Sequence, residues 1–411
     1  MAAALRLEVD GWESELDTLM VRVGRWFARP QTRRTARDVV NGLLADLPRK
    51  NGWTLGEHAG HRTPDRIQHL LSRAKWDDAA VRREIGAYVA ENLTAGVDPD
   101  LVTLVFDETG DQKKGSHTVG TQRQYSGTCG RIENCQLAVF ATLATPRGHA
   151  FIDVELYLPK SWTDNPDRLT IAGVPDDVEF ATKPELALRM ADRALTAGVG
   201  VGWIAADEAY GDNTALRHAL EGRGLNYVMA VSCNTQIPTS AGALRADRLV
   251  SQIPAEGWQI LSAGSGSKGE RLYDWAITTI TDTADQQHRW LLIRRNPCTG
   301  ELAYFRCHAT TSVPLQTLVR VAGTRWKVEE NFQAGKGCAG LDEHQVRTWT
   351  SWHRWTTLAM LAHAFLAVTA ANHRPDSTEP TNEKDMIPPY LQRNPTQTCR
   401  LHLTRPPPQP H

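Results

Sequence analysis

Apolar positions follow two different periods along this chain. Up to about residue 95 they recur three and four apart, as in Val39, Leu43, Leu44 and Leu47, then Ile67, Leu70 and Leu71, then Ile85 and Val89. That spacing lines one face of a helix. Between these groups, Trp53 to Gly60 followed by Thr63-Pro64-Asp65 reads as a helix, a glycine stop and a new helix, with Thr63 as N-cap and Pro64 in the first helical position. Residues 1–95 are therefore expected to be all-helical with a helix-turn-helix outline, one that many helical bundles share.

From Leu101 the period shortens. Leu101 to Phe106 is a continuous apolar, β-branched run that ends in Asp107, as a buried strand reads. Thr118 to Tyr125, Gln136 to Leu143 and Ala150 to Leu158 predict three further strands, and Lys183 to Ala197 predicts a helix. Val201 to Ala206 is a second buried strand ending in an acid, Asp207, followed by a helix (213–223) and a strand (227–231). Over 232–309 the helical signal fades into strands around Trp275, Trp290 and Leu302, which predicts a β-rich insertion. Gly264 to Gly269 lacks the companions of a phosphate-binding loop. Pro314 to Lys336 reads as one long helix and Ser351 to Ala371 as another, strongly apolar. Residues 373–411, rich in proline and polar side chains, read as a disordered tail.

Composition narrows the class. With 41% hydrophobic and 23% charged residues, the chain reads as soluble and globular, and its length calls for two or three units. No apolar run approaches the roughly 18 residues of a membrane span. The first twenty residues are acidic, unlike a secretory signal, so a cytoplasmic location is expected. The cysteines, at 129, 135, 233, 298, 307, 338 and 399, form no CxxC pair and no zinc-finger spacing with histidine, so they read as reduced thiols. The net charge of −1 conceals an uneven spread: from Arg22 to Arg83, Lys and Arg outnumber Asp and Glu roughly two to one. Such an excess suits a phosphate-facing surface, although charged helical faces are often simply solvated.

The candidate chemistry lies in three acids. Asp107 and Asp207 each follow a buried strand, the sheet edge where ligands of α/β folds collect. Either alone reads as a turn or cap residue; the pair reads as a site. The third stands in Arg325-Trp-Lys-Val-Glu329-Glu-Asn-Phe-Gln-Ala-Gly-Lys336. On a helix Arg325 lies about 40° from Glu329 and Lys336 about 20° on its other side, so one face presents cation, carboxylate, cation. A salt-bridge ladder has the same pattern. Strand with Asp, three strands, helix, strand with Asp, helix, strand, then a helix bearing Glu is the layout of a ribonuclease H-like fold. Three carboxylates suit Mg²⁺ or Mn²⁺, and two such ions can serve in-line phosphoryl transfer.

On these residues the chain resembles the DDE transposases of bacterial insertion sequences. The stretches that carry the likeness are Asp107 to Gly115, Gln122 to Gly127, Gly130 to Asn134, Ala206 to Gly211, Glu301 to Tyr304, Arg325 to Lys336 and Gly340 to His344. Ala322 stands where such enzymes usually carry a tyrosine. The resemblance implies a ribonuclease H-like core (96–231 and 310–372) around the β-rich insertion, with DNA bound by the helical region. It also implies a catalytic, metal-binding triad of Asp107, Asp207 and Glu329 with two Mg²⁺ or Mn²⁺ ions, and DNA contacts from Arg325, Lys336, Lys113, Lys114 and Arg123. The implied partners are terminal inverted repeats, target DNA and a second copy of the chain in the synaptic complex. In some relatives an insertion tryptophan stacks on a flipped base, which makes Trp258, Trp275 and Trp290 candidates; core packing is the commoner role of such residues. Arg131, Arg347 and Arg354 join the possible phosphate contacts. Glu108, Glu208 and Glu330, each next to a motif acid, are expected to point the opposite way and either to stand behind the triad or to face solvent. Two rival readings remain: a nuclease of the same fold without strand transfer, and a relative that only binds DNA.

Overall fold

The computed structural model describes residues 2–239, 242–266, 269–280 and 288–373, so the proline-rich tail lies outside the described residues. Five helices come first: Ala2–Gly24, Pro30–Leu44, Gly52–His58, Asp65–Ser72 and Asp78–Leu93. Their apolar stripes, including Val39, Leu43, Leu55, Ile67, Leu70, Ile85 and Val89, are fully or almost fully buried. The third helix starts on a capping box, in which the Asn51 side chain accepts from Trp53 N and Thr54 N while Thr54 Oγ1 accepts from Asn51 N. The fourth starts one residue later than the sequence pattern predicts. Pro64 already has helical φ/ψ outside it, and Thr63 Oγ1 donates to the Asp65 carboxylate at 2.8 Å instead of capping the backbone.

The remaining chain is mixed α/β around one ten-stranded sheet. Its strands are β1 (Thr103–Gln112), β2 (Gln122–Ser126), β3 (Arg131–Thr145), β4 (Gly148–Leu156), β5 (Trp203–Ala206), β6 (Asn226–Val231), β9 (Gln259–Gly266), β10 (Gly269–Thr279), β11 (His288–Arg295) and β12 (Leu302–Ala309); β7 (Gln236–Thr239) and β8 (Gly242–Arg245) form a separate hairpin. The order runs β2-β3-β1-β5-β6-β12-β11-β10-β9, with β4 on the outer edge of β3. Strands β1, β5 and β6 are parallel, and the pairs from β6 through β12, β11, β10 and β9 are antiparallel. Strands β9 to β12 of 232–309 therefore continue the central sheet, entering it through β12 beside β6, while β7 and β8 stay apart from it.

The C-terminal helix Trp349–Asn372 carries the core. Most of its residues are buried, and it packs on β4 and on the first, second, fourth and fifth helices. One continuous apolar cluster runs from the N-terminal helices through this helix into the sheet. Polar ties reinforce it: Arg354 donates to Leu70 O and Trp76 O, and Thr369 Oγ1 donates to Glu15.

Two predicted elements differ in shape. β1 does not end at Phe106 but runs on to Gln112, because antiparallel β3 pairs with it along its whole length, Asp107 opposite Phe140 and Gln112 opposite Cys135. The long helix predicted over 314–336 is two helices, Leu315–Thr324 and Trp326–Ala339, joined at Arg325. At the junction Gly323 lies so close to β9 that an added Cβ would stand 2.0 Å from Ala263 O. Arg271 of β10 binds that spot, donating to both Ala263 O and Gly323 O. A helix carbonyl claimed from outside and a glycine of low helix propensity account for the break.

Candidate active site

Three elements bring the predicted acids to one region of the sheet. Asp107 lies in β1 one residue past the last pair with β5, and Asp207 lies just past the end of β5. Glu329 sits in the first turn of helix Trp326–Ala339, which packs on β1, β3 and β4. Arg325, at the helix junction, links two of them: its Nη2 donates to Glu329 Oε1 at 2.9 Å and its Nη1 approaches Asp107 Oδ2 at 3.4 Å. Both Asp107 and Asp207 also accept a local backbone N–H, from Glu108 and Ala209 respectively.

The electrostatics single this pair out. Burial first, and the neighbouring Asp207 carboxylate second, push Asp107 up to about 7, with Arg325 pulling the other way. Asp207 is also raised, by burial and then by Glu108. Two carboxylates taken out of water together, with one guanidinium at the edge of hydrogen-bond reach, carry unrelieved like-charge repulsion.

Glu108 stands close enough to push both aspartates up, and it is not solvent-facing. It accepts from Tyr210 Oη at 2.8 Å and is paired with Lys183. The sequence carried a signal for Tyr210, which stands three residues after Asp207 on the short helix Glu208–Gly211; nothing in it announced Lys183. Glu330 faces elsewhere than Glu329. His149 Nε2 of β4 and Lys327 Nζ hold it, at 3.0 and 2.9 Å, and although burial works against them they bring it down to about 2. Its neighbour Asn331, fully buried, bonds His149 Nδ1 and Thr142 Oγ1.

The predicted basic residues divide. Lys336, half-buried on the acid-bearing helix, has no hydrogen-bond or ion-pair partner among the described residues, and exposed Lys114 and Arg123 likewise have none. Lys113 is engaged by Asp111, which also meets His344 Nε2 at 3.1 Å. Arg131 pairs with Glu133, and Arg354 is buried beneath the N-terminal helices and serves the fold. Of the tryptophans, Trp275 and Trp290 are core residues, while half-buried Trp258 lies under Arg295. The exposed tryptophan near the acids is Trp326, 40% exposed, with Arg325 and Arg271 over its ring.

Among the described residues, no group of three or more His, Cys, Asp or Glu side chains stands close enough as placed to hold a metal ion. The donor chemistry nonetheless fits one. Asp107 and Asp207 are hard oxygen ligands whose repulsion a divalent cation relieves, and Glu329 is tied to Asp107 by Arg325 rather than built into the core.

Comparison with known proteins places the chain in a family. The family described as DDE superfamily endonuclease matches residues 23–247, more than half the chain, and that described as Transposase DDE domain matches residues 170–365. The chain belongs to the DDE superfamily of endonucleases. It is 25% identical over 269 residues to a protein of Microchaete diplosiphon named "Probable transposase for insertion sequence element IS701". That match covers 62% of this chain and 65% of the relative, so the chain spans a little under two thirds of the relative's length. Among solved structures, the cryo-EM piggyBac transposase synaptic complex with hairpin DNA aligns with 90% of this chain and 76% of its own, at 11% identity and a TM-score of 0.45. No helix among the described residues is long and apolar enough to cross a membrane.

Proposed function

We propose that the chain is the transposase of an insertion sequence, which hydrolyses phosphodiester bonds at the element's ends and joins the freed ends to target DNA. The observation that carries this reading is the convergence of Asp107, Asp207 and Glu329 from three separate elements, with Arg325 bonded to the first and third. On this reading β4-β3-β1-β5-β6 with the acid-bearing helix is a ribonuclease H-like core, 232–309 its insertion, and the helices of 1–95 the end-binding region.

Asp107, Asp207 and Glu329 would hold Mg²⁺ or Mn²⁺, two ions in all. Bound there, the ions supply Lewis acidity for the attacking and leaving oxygens. The chain's own residues supply position. Arg325 holds the Glu329 carboxylate toward Asp107, and Lys336 on the same helix, without a side-chain partner among the described residues, meets the DNA backbone. Lys114 and Arg123 extend that backbone contact, with Lys113 available once Asp111 releases it. In the first reaction a water oxygen attacks phosphorus and the bond to the 3′-oxygen breaks, leaving a 3′-OH. In the second that 3′-OH attacks a target phosphodiester, whose own 3′-oxygen leaves. Synapsis of two ends calls for a dimer on DNA, acting in the cytoplasm.

The test is incubation of the full chain with Mg²⁺, a target plasmid, and DNA carrying the inverted repeats that flank its coding sequence. Joined product is the expected outcome. Cut ends without joining would reduce the activity to a nuclease, and a bound complex without cleavage would reduce it to DNA binding.

A further inference from the structure

One stretch of the sequence, Gln122 to Asn134, takes no part in the triad. It folds as the β2–β3 hairpin, closed by the turn Gly127-Thr-Cys-Gly130 with Gly130 at φ +64°. The turn is built onto the strand that carries Asp107. Gly110 N donates to Thr128 Oγ1 at 3.4 Å, and the Thr109 and Thr128 hydroxyls lie 3.4 Å apart. Ser126 comes so close that a Cβ on Gly110 would stand 2.4 Å from its Oγ, so glycine is required there. The hairpin is thus fixed to β1 three residues beyond Asp107.

Its outward side is unlike ordinary surface. Tyr125 and Ile132 are directly paired across the two strands, and they are 63% and 60% exposed. The pair steadies the hairpin only modestly and leaves two large apolar side chains side by side in solvent. Arg123, two residues along and on the same side of β2, is exposed, and its side chain has no partner among the described residues. A flat aromatic, an aliphatic support and an unpaired guanidinium make up the chemistry that takes an unstacked base together with its phosphate.

We propose that this hairpin captures an unpaired base of the DNA end being processed, Tyr125 stacking on the base, Ile132 backing the ring and Arg123 holding the adjoining phosphate. The inference rests on the DNA-cutting function proposed above. The probe is a short fluorescein-labelled duplex, either blunt or ending in a fork of unpaired thymines, titrated with full-length chain. The parent is expected to bind the fork about tenfold more tightly than the blunt duplex. Tyr125→Ala should lose that preference and keep blunt-end affinity, and Tyr125→Phe should keep both. Arg123→Ala should weaken both complexes and flatten their salt dependence by about one phosphate contact. A parent without fork preference, or a Tyr125→Ala variant that retains it, overturns the hairpin's role and leaves the DNA-cutting function standing. So does a concentration-dependent dimer, seen by sedimentation, that Tyr125→Ala abolishes while fork preference persists, since the patch would then hold a second copy. A parent that binds neither duplex overturns the underlying function itself.

Discussion

Two buried carboxylate sites in this molecule have opposite character. Glu221, at the end of a core helix, accepts from Tyr227 Oη at 2.6 Å and from Arg289 Nε and Nη2 at 3.3 and 2.8 Å. Burial pushes it up, but Arg289 and Tyr227 outweigh burial and hold it below the usual carboxylate range. Asp107 and Asp207 are also partly buried, yet each has one backbone donor and no full counter-charge, and both are pushed up. The first site is a tie: β11, from the 232–309 segment, is fastened to the helix before β6. The second is a store of like charge at a sheet edge. What separates a structural acid from a candidate catalytic one here is whether the protein itself completes the neutralisation.

The comparison is most exposed at the third acid. Glu329→Gln should lower cleavage by about a thousandfold or more, because one of three charges expected to hold the ions is gone. Glu330→Gln, whose carboxylate belongs to His149 and Lys327, should stay within about tenfold of the parent. Assays in Mn²⁺ as well as Mg²⁺ check this, and an active Glu329→Gln beside a dead Glu330→Gln would place the site on the wrong face of the helix.

At the structural site the expected damage is to stability. Glu221→Ala leaves Arg289 short of its charge partner and should cost about 3 kcal/mol by urea denaturation, with cleavage per folded molecule unchanged. The pH dependence has a definite sign. Because Glu221 is lowered in the folded state, its contribution is full above the unfolded glutamate value of about 4.3 and is lost as pH falls through its folded value. The stability difference between parent and Glu221→Ala should therefore shrink on acidification below about pH 4. A difference that holds constant there would deny Glu221 the role of an ionised tie.

The smallest effect has the opposite sign. In metal-free buffer, Asp107→Asn removes one of two repelling charges and should raise the melting temperature by a degree or a few, about 1 kcal/mol, while destroying activity. A fall in melting temperature would mean that Asp107 is as well satisfied as Glu221.

Much of this was legible in the sequence for a physical reason. A buried parallel strand such as Trp203 to Ala206 must be a continuous apolar run, and an acid just past it, Asp207, stands out against that background. The face shared by Arg325 and Glu329 followed from helical geometry, and the two side chains are bonded. What stayed hidden depends on partners distant in sequence. Nothing in Glu108-Thr-Gly-Asp-Gln112 reads as strand; the polar segment is held in one by the backbone of β3. The break at Arg325 requires Arg271 from another strand to reach Gly323 O. The engagement of Lys113 by Asp111, and the burial of Arg354 beneath the N-terminal helices, likewise arise only once the chain has folded.

The central claim is that Asp107, Asp207 and Glu329 together cut DNA with divalent ions. Asp207→Asn tests it most directly, since the substitution keeps the side chain's shape and its oxygen acceptor for Ala209 N while removing its charge. Parent and variant are assayed side by side for binding and for cleavage of the inverted-repeat DNA in Mg²⁺. The account predicts equal binding, cleavage by the parent, and none by the variant. Cleavage by Asp207→Asn at near the parent rate would contradict it.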